Sequence, residues 1–505
     1  MATLDRGISL KTKIGSKTNV SETAAHNARP LRVAVIGSGP AGIYASDALT
    51  KATIPDAKGD TPIDGVSVDI FERMPAPFGL IRYGVAPDHP RIKGIIKALH
   101  RVLDKPQIRL FGNVNIGTDL SLDDLKKYYD AVIYATGATD DRPLPIPGGE
   151  HTIGAGEFVG FYDANPLFSE DWNLEAESVA VIGVGNVALD VARMLAKTGE
   201  ELLSTEIPDN VYESLKKNQA KEVHVFGRRG PAQAKFTPLE LKELNYSDTI
   251  EVIVNPEDID YDAASKDARR NSKIQDMVCS LLEQYAIADP TDAPHKLYLH
   301  FFESPKEVKV DADGNVTALV TERTKLNGDG SISSTGETRE WPVGAVYRAV
   351  GYRSDAVTDL PWDERENVLP NVGGRVLTEG PTADGIAGVP GSADPEAEKR
   401  ETLPGVYATG WVRRGPVGLI GNTKGDANEV VDNLLADAGA GRGFNPSEPG
   451  LDAIEKLLSE RGLTWTDWGG WYALDKHERE LGEAEDRERK KVRGWEDMLN
   501  KSSEK

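Results

Sequence analysis

Cysteine is almost absent from the sequence, and its scarcity excludes several kinds of chemistry. Cys279 is the single cysteine among 505 residues. The chain can therefore form no internal disulfide, carry no redox pair of cysteines and hold no iron–sulfur cluster on four cysteines. A lone cysteine also favours a reducing compartment.

Long apolar runs and an excess of positive charge are missing as well. No stretch approaches the roughly 20 apolar residues that a membrane-spanning helix needs. The 81 acidic residues outnumber the 59 basic ones, for a formal net charge of −22, which argues against nonspecific binding to nucleic acid. We expect a soluble, cytoplasmic protein without a membrane span, and an acidic partner would need a local basic patch to dock.

The two ends of the chain differ in composition from the rest. Residues 1–30 are rich in Ser, Thr and Ala and poor in acids, which predicts a flexible tail. A mitochondrial transit peptide is the alternative and would place the protein in the matrix. Residues 475–505 mix ten acidic with nine basic residues, which predicts a solvated helical or irregular tail.

A strand–turn–helix–strand unit occurs twice in the sequence. In the first copy, an apolar strand over 31–36 ends at a glycine and precedes a helix over 41–50. In the second, a similar strand over 178–182 precedes a helix over 188–197. Two copies predict an α/β fold with two doubly wound, Rossmann-like dinucleotide-binding domains.

The first copy carries a glycine motif at its turn. Gly37, Gly39 and Gly42 match G-x-G-x-x-G, in which the glycines allow a tight turn, a close approach of pyrophosphate and close helix–strand packing. The helix N-terminus directs its N–H groups at the phosphates. Glu72 closes the next strand and can accept both ribose hydroxyls; a predicted loop over 54–65 explains its long spacing from the glycines. This acid-terminated site suits FAD.

The second copy differs where the next strand ends. Gly183 and Gly185 are followed by Ala188 in the third position of the motif, and Arg228-Arg229 stands where an NAD site would place an acid. A carboxylate would repel a 2′-phosphate, whereas guanidinium groups bind it bidentately. The second site therefore favours NADP(H), and a protein with both sites is most simply a flavin-dependent oxidoreductase.

From Leu31 onward the chain resembles the adrenodoxin-reductase type of ferredoxin–NADP reductase, an FAD-containing family. The resemblance rests on several long segments: residues 71–90 (FERMPAPFGLIRYGVAPDHP), 111–114 (FGNV), 181–193 (VIGVGNVALDVAR), 227–231 (GRRGP) with Phe236, Thr237 and Glu240, and 410–420 (GWVRRGPVGLI). Trp465 and the closing charged segment are similar too.

This resemblance implies roles for individual residues. The residues that would line the FAD adenosine and pyrophosphate, besides the glycines, are Ala41, Glu72, Leu80 and Val114. Those beside the isoalloxazine ring are Trp411 and the backbone of Gly418, Leu419 and Ile420. Those at the NADP(H) site are Val184, Gly185, Asn186 and Val187 at the pyrophosphate turn, Arg228 and Arg229 at the 2′-phosphate, and Gly418 at the nicotinamide carboxamide.

His89 and Glu240 match polar residues close to the nicotinamide in that family, and they are the catalytic candidates. Hydride transfer needs no acid or base, so we expect them to act as positioning and electrostatic groups. From the residues alone, His89 would be a structural loop histidine and Glu240 an exposed charge on an amphipathic helix. No metal site is expected.

The resemblance further implies an NADPH:ferredoxin oxidoreductase. A hydride passes from NADPH to the N5 atom of FAD, and single electrons then pass to an external iron–sulfur protein. The FAD domain would comprise residues 31–139 and 352–505, with an NADP domain over 140–351 inserted into it.

Other interpretations stay open. The chain could be an NADPH-feeding subunit of a larger complex, like the small subunit of glutamate synthase, a general NADPH diaphorase, or a redox sensor; a flavin monooxygenase is a further rival. Segments 54–65, 247–300 and 369–400 look unmatched in the family. Candidate cations for docking an acidic iron–sulfur protein are Lys242, Arg413 and Arg414.

Overall fold

Two parallel sheets and a small antiparallel sheet organise the protein. The computed structural model describes residues 29–52, 63–89, 93–381, 399–418 and 420–504. The strands are β1 (Arg29–Ile36), β2 (Ile63–Glu72), β3 (Ile108–Gly112), β4 (Ala131–Tyr134), β5 (Asp140–Asp141), β6 (Ile153–Gly154), β7 (Ser178–Ile182), β8 (Glu222–Gly227), β9 (Ile250–Val254), β10 (His295–Phe301), β11 (Glu303–Val310), β12 (Val316–Leu326), β13 (Ile332–Pro342), β14 (Ala345–Arg348), β15 (Tyr352–Arg353), β16 (Asn371–Val372), β17 (Arg375–Leu377) and β18 (Thr402–Ala408).

The helices connect these strands and cover their faces. They are α1 (Pro40–Lys51), α2 (Leu80–Tyr83), α3 (Ile96–Leu103), α4 (Leu122–Tyr128), α5 (Ala155–Tyr162), α6 (Asn186–Ala196), α7 (Asp209–Leu215), α8 (Pro238–Glu243), α9 (Ala263–Asn271), α10 (Lys273–Ala286), α11 (Trp411–Arg414), α12 (Asn422–Gly439), α13 (Ala453–Glu460), α14 (Trp468–Glu483) and α15 (Trp495–Ser503). Short 3₁₀ turns occur at Gly149–His151, Glu200–Leu202, Pro231–Gln233, Leu244–Tyr246 and Pro256–Asp258.

The first sheet has seven strands in the order β16-β17-β18-β4-β1-β2-β3. The five strands from β18 to β3 are parallel, and β16 and β17 add an antiparallel edge. Along β1, Val33 and Val35 pack into one core, and Ala34 and Ile36 pack into a second core on the opposite face. Because both faces are covered, the strand forms the continuous apolar run seen in the sequence.

The second sheet is parallel throughout, in the order β6-β14-β7-β8-β10-β9. Val179 and Val181 of β7 face a core shared with the helices, whereas Ala180 and Ile182 face the antiparallel sheet β11-β12-β13. The predicted fold class is confirmed, because the chain leaves the first sheet after β4, builds the second sheet and returns to the first at β16–β18.

The two crossings between the sheets run side by side. β5 and β15 pair antiparallel, with Tyr352 opposite Asp141 and Arg353 opposite Asp140. The proposed domain boundaries, at 139/140 and 351/352, fall beside this two-stranded ribbon. Those boundaries stay predictions.

Two predicted loop or tail segments end earlier than expected. β1 already begins at Arg29, and β2 at Ile63, so residues 29–30 are not part of a tail and residues 63–65 are not part of a loop. The remainder of both segments, 1–28 and 54–62, lies outside the described residues. The register between β1 and β2 shifts beside the left-handed Gly65, and this irregularity hides the start of β2 from a pattern-based prediction.

The prediction of a solvated C-terminal tail is wrong. Glu478 is fully buried, and Lys491, Arg487 and Arg489 are buried as well. Lys491 donates from Nζ to the carbonyl oxygen and to Oδ1 of Asp163, at 3.0 and 3.2 Å. The balanced charges of this segment thus form buried ion pairs with residues far away in sequence, which composition alone does not reveal.

Among the helices of the described ranges, none combines the length and the apolar character that crossing a membrane requires.

Candidate functional site

The first glycine turn follows β1. Gly37 has a φ of +108°, and a Cβ there would lie 2.4 Å from the carbonyl oxygen of Ala135. A Cβ on Gly42 would lie 2.0 Å from the carbonyl oxygen of Gly37, whereas a Cβ on Gly39 would meet no protein atom within 4 Å. The outer glycines therefore shape the turn, and the middle one lets a ligand approach the backbone.

Glu72 ends β2 with its carboxylate directed at this turn. Oε2 accepts hydrogen bonds from N and Oγ of Ser38 at 3.0 and 2.7 Å, and Oε1 accepts one from N of Met74 at 3.0 Å. Each carboxylate oxygen can accept two hydrogen bonds. Oε2 already accepts two and Oε1 one, so Oε1 can accept one more, from a ribose hydroxyl. The buried Val114 lies alongside, because its N–H donates to the carbonyl oxygen of Glu72 at 2.9 Å.

A second segment closes over the turn from the chain after β2. The N–H of Phe78 donates to the carbonyl oxygen of Ser38 at 3.1 Å. A Cβ on Gly79 would lie 3.2 Å from Cα of Gly39. The backbone contact brings Leu80, the half-buried first residue of α2, to the same turn.

The C-terminal part of the first sheet reaches the turn after β18. A Cβ on Gly410 would lie 2.6 Å from Cβ of Ala41, and Asp426 on α12 accepts a hydrogen bond from the N–H of Gly410. The half-buried ring of Trp411 stacks at 6.2 Å on the ring of Tyr352, which lies at the crossing between the sheets.

The predicted flavin-side backbone is described only in part. Gly418 is exposed with a φ of +92°, a conformation that favours glycine. Ile420 is half-buried, packs against the core under the first sheet and accepts a hydrogen bond from the N–H of Thr423 at 3.2 Å. Leu419 lies outside the described residues.

The second glycine turn repeats the first one's geometry. Gly183 has a φ of +138°, and a Cβ there would lie 2.3 Å from the carbonyl oxygen of Ala349. A Cβ on Gly185 would again meet no protein atom within 4 Å. Oδ1 of Asn186 accepts a hydrogen bond from the N–H of Thr237 at 2.9 Å, which ties α6 to the segment before α8. This turn can therefore also receive a pyrophosphate.

Three apolar residues frame the second turn. Val184 and Val187 are half-buried against the core of the second sheet, and Ala188 is fully buried.

Arg228 and Arg229 stand directly after β8, where the sequence analysis places a 2′-phosphate clamp. Arg228 is exposed and Arg229 is half-buried. Their backbone is fixed, because the carbonyl oxygen of Arg228 accepts from Oγ1 of Thr324 at 2.8 Å and that of Arg229 from N of Phe302 at 3.3 Å. Within the described ranges, neither guanidinium has a hydrogen-bond or ion-pair partner, so both can bind an anion.

His89 lies between the two sheets' units and is only 4% exposed. Its Nε2 lies 2.8 Å from Oδ1 of Asp190 on α6, and its Nδ1 lies 2.9 Å from Oε2 of Glu243 at the end of α8. Arg193 lies against the same ring and forms an ion pair with Asp88. These four charged neighbours come from other parts of the fold or carry no motif, and the sequence pattern does not predict them.

Glu240 is buried on α8, not exposed as a helix-pattern interpretation suggests. Its N–H contacts Oγ1 of the capping Thr237 at 3.4 Å, and its Oε2 has no hydrogen-bond partner among the described residues. A buried carboxylate oxygen without a donor is costly, which indicates a place where a ligand can supply the donor. On α8, the carboxylate in direct contact with His89 is that of Glu243, one helical turn further along.

Asp190 determines how His89 titrates. Burial lowers the pKa of His89, but the hydrogen bond to Asp190 and its charge outweigh that effect and hold the pKa above the ordinary histidine value. We expect Asp190→Asn to lower the pKa of His89, because the contact with a charged carboxylate is lost while burial and the Arg193 charge remain. A pH titration of ¹⁵N-labelled histidine by NMR measures this shift, with the other histidine signals as internal controls. An unchanged titration midpoint would contradict the assignment.

Two of the three docking cations that the sequence suggested are not available. Arg413 is buried and paired with Asp426 and Glu429, and Arg414 is paired with Glu429 as well. Lys242 is exposed and has no ion-pair partner in the part of the chain that the structure describes. Within that same part, no cluster of three or more His, Cys, Asp or Glu side chains could hold a metal ion.

Comparison with known proteins agrees with this geometry. Residues 31–226 match the pyridine nucleotide-disulphide oxidoreductase family. The chain is 37% identical over 483 residues to NADPH-ferredoxin reductase FprA of Mycobacterium tuberculosis strain H37Rv, covering 93% of this chain and 99% of the relative. It is 35% identical over 490 residues to the mitochondrial NADPH:adrenodoxin oxidoreductase of Arabidopsis thaliana, covering 94% of this chain and 95% of the relative.

A solved structure extends the likeness to three dimensions. Mycobacterium tuberculosis FprA in complex with NADPH superimposes with a TM-score of 0.82 at 36% identity, covering 94% of this chain and 100% of that chain. The chain therefore belongs to the family of NADPH-ferredoxin reductases that includes mycobacterial FprA and mitochondrial NADPH:adrenodoxin oxidoreductase.

Proposed function

We propose that the protein is an FAD-dependent NADPH:ferredoxin oxidoreductase. The observation that carries the proposal is the pair of glycine turns at Gly39 and Gly185. A Cβ on either glycine would meet no atom of the described residues within 4 Å, whereas a Cβ on Gly37 or Gly183 would touch backbone. Such a turn at a helix N-terminus fits a dinucleotide pyrophosphate. The second turn is followed by the unpaired Arg228 and Arg229, which select NADPH.

Different residues would bind FAD at the first glycine turn and NADPH at the second. Glu72 would accept a ribose hydroxyl of FAD, Trp411 would lie beside the FAD ring system, and the two arginines would hold the 2′-phosphate of NADPH. FAD, when bound, accepts a hydride and passes electrons on one at a time. His89 and Glu240 position the nicotinamide end and adjust the local charge.

Disulfide chemistry, which the family description names, does not fit this chain. It has one cysteine, and that residue, Cys279, is fully buried. A dithiol–disulfide exchange needs a second thiol and access to it. The electron acceptor is therefore an external carrier.

The function is tested by NADPH-dependent reduction of cytochrome c with the holoenzyme, with and without an added ferredoxin. We expect reduction to depend on ferredoxin at low enzyme concentration. Equal rates without ferredoxin would favour a general diaphorase, and no reduction of ferricyanide by NADPH would favour a redox sensor.

Gly39→Ala separates cofactor binding from folding. Gly39 has an extended backbone, so alanine fits the fold, but its methyl group occupies the approach to the pyrophosphate. We expect normal far-UV circular dichroism with FAD affinity reduced by about 1–3 kcal/mol, the usual cost of overpacking. The matched variant Gly185→Ala should keep FAD and lose NADP⁺ affinity instead. An FAD dissociation constant unchanged in Gly39→Ala, measured by titrating the apoprotein with FAD, would refute the assignment of the first turn.

Docking of the iron–sulfur partner uses a local basic patch that includes Lys242. Attraction between exposed charges is screened by salt, so we expect the KM for ferredoxin to rise with ionic strength and to rise again in Lys242→Glu. Lys217→Glu, at an exposed lysine after α7, is the control. A salt-independent KM for ferredoxin would rule out electrostatic docking.

We also propose a cytoplasmic location, which the lone cysteine supports. A mitochondrial location would depend on residues 1–28, which lie outside the described part of the chain.

A further inference from the structure

A lysine that the motif comparison did not single out lies beside the second glycine turn. Lys235 stands between the 3₁₀ turn Pro231–Gln233 and α8. Its side chain is exposed, and in the described part of the chain it has no hydrogen bond and no ion pair.

The backbone holds Lys235 directly against the turn. Its N–H donates to the carbonyl oxygen of Val184 at 2.8 Å. Two residues later, the N–H of Thr237 donates to Oδ1 of Asn186 at 2.9 Å. The segment 235–237 therefore runs along the turn 184–186. Arg228 and Arg229 reach the turn from a different element, the end of β8, where a Cβ on Gly227 would lie 2.6 Å from Cγ1 of Val184.

The nearest acidic residue along the segment does not neutralise Lys235. Glu240 is buried, and within the described ranges it forms no ion pair with Lys235. The chemistry of the three cations also differs. The planar guanidinium groups of Arg228 and Arg229 can bind a terminal phosphate bidentately. A lysine ammonium is a point charge on a flexible side chain and can bind a bridging phosphate without a fixed geometry.

We propose that Lys235 binds the pyrophosphate of NADPH and supplies a positive charge in addition to the N–H groups of α6. The assignment rests on the proposed function, because it takes the second turn as the nicotinamide-nucleotide site. The proposal divides the recognition of NADPH into two parts: Lys235 binds the pyrophosphate, and Arg228 and Arg229 bind the 2′-phosphate.

Two fragments of NADPH test this division by isothermal titration of the holoenzyme. ADP-ribose contains the pyrophosphate without the 2′-phosphate, and 2′-AMP contains the 2′-phosphate without the pyrophosphate. We expect Lys235→Met to weaken ADP-ribose about tenfold, the loss of one charge-assisted contact at an exposed position, and to leave 2′-AMP unchanged. Arg228→Ala should show the opposite pattern, and Lys235→Arg should restore most of the ADP-ribose affinity.

Lys217→Met, which removes one exposed positive charge elsewhere, controls for a general change in charge. Weaker 2′-AMP binding with unchanged ADP-ribose binding in Lys235→Met would overturn the proposal and move Lys235 to the clamp. Unchanged binding of both fragments would overturn it too, as would a change confined to the KM for ferredoxin. If the wild-type holoenzyme binds neither fragment nor NADP⁺, the proposed function itself fails, which distinguishes the two hypotheses.

Discussion

Replacing Arg228 and Arg229 together with alanine lowers kcat/KM for NADPH about 100-fold or more while kcat/KM for NADH stays within about threefold. The reason is that both guanidinium groups are without protein partners in the described ranges and are free to pair with the 2′-phosphate. A hydrogen bond to a charged group contributes about 1.5–3 kcal/mol, and each 1.4 kcal/mol is tenfold. NADH lacks the 2′-phosphate, so the substitutions remove no contact to NADH and its kcat/KM changes little.

The measurement is steady-state reduction of ferricyanide at constant ionic strength with each nucleotide. Arg228→Lys is the informative control, because it keeps the charge and removes the bidentate geometry, so its loss should be intermediate. The clamp assignment fails if the double variant keeps the wild-type ratio of NADPH to NADH.

Among the substitutions proposed here, Glu478→Gln is expected to lower the free energy of unfolding the most. Glu478 is fully buried and accepts hydrogen bonds from Nη1 of Arg82 at 3.0 Å, Nη1 of Arg489 at 2.7 Å and the N–H of Val492 at 2.9 Å. Removing one partner of a buried ion pair costs about 3–5 kcal/mol, because the remaining charges stay buried without compensation. We expect the melting temperature of the FAD-loaded protein to fall by about 5–10 °C.

The same helix offers a matched control. Glu480 pairs with Lys476 one turn away at 3.7 Å, but both side chains are largely exposed, and such surface pairs contribute about 0–1 kcal/mol. Glu480→Gln removes the same charge and should barely change the melting temperature. Equal melting temperatures for the two variants would show that the buried network does not stabilise the fold.

Acid should reveal the same network in the wild type. Burial raises the pKa of Glu478, but the charges of Arg82 and Arg489 and the hydrogen bonds from Arg82 and Val492 together outweigh burial and hold the pKa below its usual value. A depressed folded-state pKa means that the stabilisation is present above the unfolded pKa of about 4.3 and is lost as the pH falls further.

The repeated strand–turn–helix units were predictable because their signals are local. Gly37 and Gly183 each follow a short apolar strand, and the fold confirms the two α/β units that this pattern implies. The resemblance of the longer segments to the reductase family then assigns FAD to the first unit and NADP(H) to the second. The partners of His89 are different, because Asp190 and Glu243 come from elements about 100 and 150 residues away along the chain, and only packing brings them together. Asp190 and Arg193 did offer a signal, since their spacing places both on one face of α6.

The prediction of a solvated tail over residues 475–505 fails for a physical reason. Near-equal numbers of acids and bases predict solvation, since unpaired charges are rarely buried. Instead, Glu478 pairs with Arg82 and Lys491 pairs with Asp163. Both partners lie more than 300 residues away along the chain, and the composition of the segment gives no information about such distant pairs.

The order of strands in the first sheet affects how the protein is made. β4 pairs with β1 on one side and β18 on the other, and β18 leaves the ribosome only after the whole second sheet has been synthesised. Until then, one edge of β4 is an open parallel edge, the kind of surface on which chains aggregate. The inserted unit, by contrast, has all its strands consecutive in the chain between β6 and β14. During translation it can fold first, and the first sheet is completed last, when β18 pairs with the open edge of β4.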